Sequence, residues 1–226
     1  MKILILTLAD LNYQDVAALS EPNKRAYAEL HGYDFIQETE LLDPLRSPSW
    51  NKIALVSKHL PKYQWVFWTD CDSLIMNSSI TLESIIEEVP PDKDFIIAGD
   101  GNGINAGEFL IGNSNWSINF LADVWEQTQF ITHPWWEQSA LTYLFSLHKA
   151  NREKLALVEQ HKLNSYITPY SRTYLPGDFI VHFVGMGKEL WNLVGLMRKY
   201  ALGEDYYCVD ATGNRLAGRA GCLDDC

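Results

Sequence analysis

Positive charge is scarce in this chain. Lys and Arg number 18 against 29 Asp and Glu, a formal net charge of −11 over 226 residues. That balance argues against a nucleic-acid surface, which needs concentrated Lys and Arg. It does not exclude an anionic ligand whose charge a metal ion and a few lysines neutralise locally. Cysteine is sparse too, at four. Cys71 is alone, and Cys208, Cys222 and Cys226 lie near the end of the chain. There are no paired Cys-x-x-Cys elements, so a zinc site is not expected. Free thiols are the default, and a disulfide within the tail stays open. No apolar run reaches the roughly 20 residues of a membrane span. Ile3-Leu4-Ile5-Leu6 is far shorter and runs into Thr7-Leu8-Ala9-Asp10 without a cleavage-site pattern. It is expected to be a core strand, and the protein to be soluble and cytoplasmic without a membrane span. Internal repeats and low-complexity tracts are missing as well.

What is present suits a globular enzyme or binding domain. Apolar residues make up 47% of the chain, enough for a substantial core. Eight Trp and 11 Tyr are many for this length, and some could stack on flat ligands such as sugars or bases.

The pattern alternates strands and helices. A buried strand is expected over 2–8, then a polar loop from Asp10 to Ser20. Glu21-Pro22 opens a helix to about Leu30, ended by Gly32, and Tyr33–Ile36 is the next strand. This β-α-β start predicts an α/β protein with a parallel sheet. Ser49 reads as the cap of a helix from Trp50 to Leu60. Strands follow at Trp65–Thr69 and, more briefly, Leu74–Met76. A short helix is expected at Thr81–Glu88 and a strand at Phe95–Ala98. Asp100-Gly101-Asn102-Gly103 is a turn, and Glu108–Ile111 a strand. Helices are expected from Ser114 and over Glu137–Leu147, with a short strand at Leu155–Val158. An irregular aromatic segment leads to Gly177. Asp178–Phe183 reads as the last strand, followed by a helix over Glu189–Ala201. Residues 1–202 read as one domain and 203–226 as a tail or linker.

The chemistry gathers around Trp65-Val66-Phe67-Trp68-Thr69-Asp70-Cys71-Asp72. An apolar strand runs into two carboxylates two positions apart. If the strand continues, both point to one side, where like charges resist burial. A divalent cation would resolve that, since hard cations take carboxylate oxygens. The plainer reading is a polar strand end and a turn. His182 sits late in a strand, where it is either a hydrogen-bonded structural group or a ligand. Open α/β sheets bind ligands beyond such strand ends. Gly185 and Gly187 would let a phosphate approach, and Lys188 could neutralise it. Asn105 and Gly107 could meet a sugar or only make a turn. Glu137 could simply favour a helix dipole. Lys52 reads as solvated unless its helix face meets the ligand loop.

Together these segments resemble family 34 of the glycosyltransferases, the group of fungal galactosyl- and mannosyltransferases and plant xyloglucan xylosyltransferases. The stretches that carry the resemblance come in order. They are His31-Gly32-Tyr33, Ser49-Trp50-Asn51-Lys52, the strand through Asp72, Asn105–Ile111, Asn115-Trp116-Ser117, Glu137-Gln138-Ser139-Ala140 and Pro176–Gly185. The resemblance implies a single GT-A, Rossmann-like domain with a mixed, mostly parallel sheet. It also implies a retaining, Mn2+-dependent (or Mg2+-dependent) transferase using a nucleotide-sugar donor, UDP-linked by expectation, and a glycan acceptor. It makes Asp72 and His182 metal ligands, with Asp70 shared between metal and donor. Lys188 would contact the pyrophosphate. Asn105, Gly107 and Gln138 would lie at the donor sugar and reaction centre. Gln138, Glu137 and Asp70 are the catalytic candidates, with Glu137 a better nucleophile than Gln138 if a covalent intermediate forms. Thr7, Ala9 and Asp10 would wall the base and ribose. Association into a homo-oligomer stays open.

This chain departs from the family in three places. The membrane anchor and stem usual in the family are not expected in it. Met186 stands where cysteine is usual after His-Phe-x-Gly. Gly112 stands where an arginine often follows the Asn-x-Gly strand. A sugar nucleotidyltransferase is the main rival, but its glycine-rich basic loop is replaced here by Asp10-Leu11-Asn12-Tyr13-Gln14-Asp15. A binding module without turnover is the other, and the full set of expected ligands argues against it.

Overall fold

Strand β1 (Ile3–Leu8) is buried along its whole length. Leu4, Leu6 and Leu8 enter one core and Ile3 and Ile5 another, the alternation of a strand covered on both faces. The same alternation recurs in β3 (Trp65–Thr69), β5 (Phe95–Asp100) and β6 (Gly103–Gly112). With β2 (Asp34–Glu38) and β7 (Leu155–Val158) these make a six-stranded sheet in the order β2-β1-β3-β6-β5-β7. Only β6 runs against the others. The architecture is α/β with a mixed, mostly parallel sheet. The computed structural model describes residues 1–167, 173–188, 190–203, 207–209 and 215–217.

Helices α2 (Pro48–His59), α4 (Asn115–Trp125) and α5 (Trp136–Leu147) cover one face. Helices α1 (Gln14–His31) and α3 (Leu82–Glu87) cover the other. Two short helices, α6 (Lys149–Lys154) and α7 (Gln160–Leu163), flank β7. A second sheet of three strands joins β4 (Ser73–Ile75), β9 (Ile180–His182) and β8 (Ser165–Tyr166). A third apolar cluster packs it against α1 and α8 (Leu190–Ala201), through Val16, Leu74, Val181, Leu193 and Met197. Among the described residues, no helix is long and apolar enough to cross a membrane.

Several sequence expectations need correction. Helix α1 starts at Gln14, not at Glu21-Pro22, and encloses Pro22. Its buried stripe of Val16, Ala17, Ser20, Lys24, Tyr27 and Ala28 spans the proline, and tertiary packing outweighs the lost hydrogen bond. The expected polar loop up to Ser20 is therefore mostly helix. Helix α2 starts at Pro48 rather than after Ser49, because proline favours the first helical position. Strand β6 runs ten residues, since the turn at Asp100–Gly103 closes a hairpin with β5. The segment before Gly177 holds α7 and β8. The tail expected at 203–226 lies largely outside the described residues. Within it β10 (Tyr207–Val209) and β11 (Arg215–Ala217) pair antiparallel, so β9 is not the last strand.

Candidate active site

The strand that leads to the two aspartates does not continue through them. It stops at Thr69, and a tight turn carries the chain into β4 of the second sheet. The Ser73 hydroxyl donates to the Asp70 carbonyl at 2.8 Å and meets the Thr69 hydroxyl at 2.8 Å. The strand-alternation argument therefore does not place Asp72. The turn does, together with β9, whose Phe183 amide donates to the Asp72 carbonyl at 3.0 Å. Ser73 lies opposite His182 in the register of β4 and β9.

This folding brings Asp70, Asp72 and His182 together. One ligand atom of each lies within 4.8 Å of the others. His182 is buried and both aspartates are half-buried. The His182 Nε2 stands 3.5 Å from Asp72 Oδ1, too far for a short hydrogen bond. Two carboxylates and an imidazole are a donor set that suits a divalent transition ion. Burial works against a charged ring, but Glu108 and Asp72 on its two sides hold the His182 pKa well above the usual value. Burial would likewise raise the Asp72 carboxyl, yet His182 and Lys24 outweigh it and bring it down.

Asp70 is held from three directions. Its backbone amide donates to the Gly107 carbonyl at 2.9 Å. The Trp68 indole donates to Oδ1 at 2.7 Å. Lys52 Nζ reaches Oδ1 at 3.0 Å, Glu137 Oε1 at 3.0 Å and the Ala106 carbonyl at 2.8 Å. Lys52 is thus 97% buried rather than solvated, its exposure being 3%. Burial alone would lower its pKa, but Asp70 and Glu137 raise it. Glu137 is also buried, in the first turn of α5, and its carboxylate points at Lys52 rather than merely at the helix dipole.

Strand β6 contributes through an irregularity. Ile97 faces Phe109, but Gly99 already faces Ile104, so five steps on β6 match two on β5. The extra residues bulge around Asn105–Glu108, and bulges re-aim side chains near active sites. The Ala106 amide emerging there donates to Gln138 Oε1 at 3.0 Å. Gly107 faces the His182 ring so closely that a Cβ would overlap it, 2.8 Å from Nδ1.

The remaining expected residues are placed as follows. Thr7 and Ala9 are buried at the end of β1, which leaves Asp10 to present a side chain there. Asp10 caps a short 3-10 turn by accepting from the Asn12 amide at 2.9 Å. Gly185 takes the left-handed conformation, φ 76°, just past His182. At Gly187 the Tyr13 hydroxyl fills the space a Cβ would need. The side chain of Lys188 lies outside the described residues.

Four participants are not evident in the sequence. Lys24, fully buried on α1, donates to the Asp70 carbonyl at 2.5 Å. Its signal is a charge inside the apolar stripe of that helix. Tyr13 borders the site, its hydroxyl pushed up to about 12 by burial and by the nearby Asp72. Glu108 is wholly buried with no hydrogen bond to either carboxylate oxygen. The Asn164 Oδ1 accepts from the His182 Nδ1 at 2.9 Å, a role with no sequence signal.

The fold and this cluster together define a GT-A glycosyltransferase framework. The galactosyl transferase GMA12/MNN10 family profile matches residues 1–89 and 84–189, and the chain belongs to that family, glycosyltransferase family 34. It is 30% identical over 204 residues to an uncharacterized alpha-1,2-galactosyltransferase of Schizosaccharomyces pombe, covering 72% of this chain and 54% of that one. It is 25% identical to a probable alpha-1,6-mannosyltransferase of Saccharomyces cerevisiae, covering 78% and 58%. The chain thus spans about half the length of the curated relatives it matches. Among solved structures, a glycosyltransferase involved in the glycosylation of the major capsid of PBCV-1 superposes with a TM-score of 0.71 at 17% identity, covering 88% of this chain and 99% of that one. The galactosyltransferase LgtC, solved with donor and acceptor sugar analogs, gives 0.53 at 16% identity, covering 85% and 95%.

Proposed function

We propose that this chain transfers a sugar from a nucleotide-sugar donor, UDP-linked, to a hydroxyl of a glycan acceptor, with retention at the anomeric carbon. The observation that carries the reading is the convergence of Asp70, Asp72 and His182 at the carboxyl end of β3 in a member of this family. These three would hold Mn2+ or a similar ion. Bound there, the ion would supply positive charge for the leaving diphosphate.

The chain's own residues do the rest. Lys52 and Glu137 lock Asp70 from behind, so its carboxylate presents one fixed edge. Gln138 is tied to the Ala106 amide at the β6 bulge, and there it would meet the reacting sugar. It is a weak nucleophile and serves to hold the donor or steady positive charge. Glu137 is sealed against Lys52, which makes it a support rather than an attacking group. The reaction then proceeds by front-face attack, with the departing phosphate oxygen taking the acceptor's proton.

A panel of nucleotide sugars screened for Mn2+-dependent diphosphate release tests this. At least one donor should be consumed, and Asp72→Ala should abolish its turnover. Unchanged turnover in Asp72→Ala would remove the site, and an inverted product by NMR would remove the stereochemistry.

A further inference from the structure

We propose that a hydrogen-bond relay, Gly107–Asn105–Asn164–His182, holds the proton of the neutral His182 ring on Nδ1, so that Nε2, which faces Asp72, is the nitrogen free to take a cation. The inference rests on the proposed cation site and adds how its nitrogen ligand is prepared.

The relay has a direction because it begins at a backbone amide. An amide N–H can only donate, so the Asn105 side-chain atom 2.9 Å from the Gly107 nitrogen is the oxygen Oδ1. The Asn164 atom 2.8 Å from that same oxygen must then be a donor, its Nδ2. This turns the Asn164 oxygen toward His182, 2.9 Å from Nδ1. An oxygen acceptor there requires a proton on Nδ1. In the neutral ring the other nitrogen, Nε2, then carries a lone pair, and Nε2 is the atom that faces Asp72. Glu108 Oε2 lies 3.3 Å from Nδ1, on the proton-bearing side.

Each relay residue is enclosed. Asn164 and Glu108 are fully buried and Asn105 is nearly so. A buried amide cannot reverse without breaking two hydrogen bonds, so the tautomer is set by the fold before any ligand arrives. Asn105 is a positioning residue in this scheme, its oxygen spent on the relay, and so is Asn164. Outer partners of this kind commonly change metal affinity about 10- to 100-fold when lost.

The test reads the ring directly. A long-range 1H–15N spectrum of the metal-free chain, labelled at histidine and recorded where the ring is neutral, should show His182 protonated at Nδ1. A proton on Nε2 in the wild-type chain would overturn the proposal without any variant. Asn164→Leu should lose the tautomer preference and bind Mn2+ about 10- to 100-fold more weakly by calorimetry. Retention of both would overturn the relay. Glu108→Gln leaves the relay intact and should keep the Nδ1–H form, so loss of that form would assign the tautomer to the carboxylate instead. If the wild-type chain binds no Mn2+, the proposed function fails while the tautomer reading stands.

Discussion

Lys52 Nζ and Glu137 Oε1 meet at 3.0 Å, with each side chain only 4% exposed. The ammonium also serves Asp70, so one buried cation joins α2, α5 and the turn after β3. Removing one partner of such a pair leaves an uncompensated buried charge and costs about 3–5 kcal/mol. Lys52→Ala should lose stability of that order in urea unfolding. Loss of less than about 1 kcal/mol, the value of an exposed pair, would show that the cluster is wet.

Glu137 should also leave a mark on the pH dependence of stability. Burial pushes its carboxyl up to about 7 from the usual 4.5, with Lys52 opposing and Asp70 adding to the rise. Between those values the folded chain holds a proton that the unfolded chain has released. Stability from this group is therefore fullest below the lower value and falls as pH rises through the higher one. Glu137→Gln should flatten that fall. Wild-type and variant urea midpoints that stay a constant distance apart from pH 4.5 to about 7 would refute the shift.

Gly107 tolerates no side chain. A Cβ would overlap the His182 ring and crowd Asn105 Oδ1 at 3.0 Å. Gly107→Ala should cost about 1–3 kcal/mol, the range for overpacking. Because the ring must shift, Mn2+ affinity should fall as well. A variant with normal thermal stability and normal calorimetric binding would show that the bulge yields freely.

Lys24 anchors the aspartate turn by its carbonyl. Burial pulls its pKa down, although Cys71, Glu108, Asp72 and Asp70 oppose this. Lys24→Met keeps the volume while removing the buried charge and its hydrogen bond to the Asp70 carbonyl. It should preserve the thermal midpoint within a few degrees yet weaken Mn2+ binding. Full-strength binding would make the lysine a packing residue only.

The central strands of the large sheet are legible because they are apolar runs with a turn signal beside them, whereas β8, β10 and β11 carry no such pattern. The element types followed, and so did the cap residues Gly32, Thr81 and Ser114. The start of α1 was hidden by Pro22, whose local cost is overridden by distant packing. Asp70, Asp72 and His182 were named from the sequence because two acids end a strand and a histidine ends another. Glu108, Asn164 and Lys24 were not. Their importance comes from a bulge in β6 and from contacts between elements far apart in the chain, and only Lys24 leaves a local trace, a charge inside the apolar stripe of α1.

The two sheets are completed at different times during synthesis. All six strands of the large sheet come from residues 3–158, whereas the small sheet needs Ser165–Tyr166 and Ile180–His182. Chains are made from the amino end, and early parts can fold while later parts are still absent. A nascent chain can therefore display its aspartate turn well before the histidine exists to close it. Cation affinity thus reports on the joining of the large sheet to the small one.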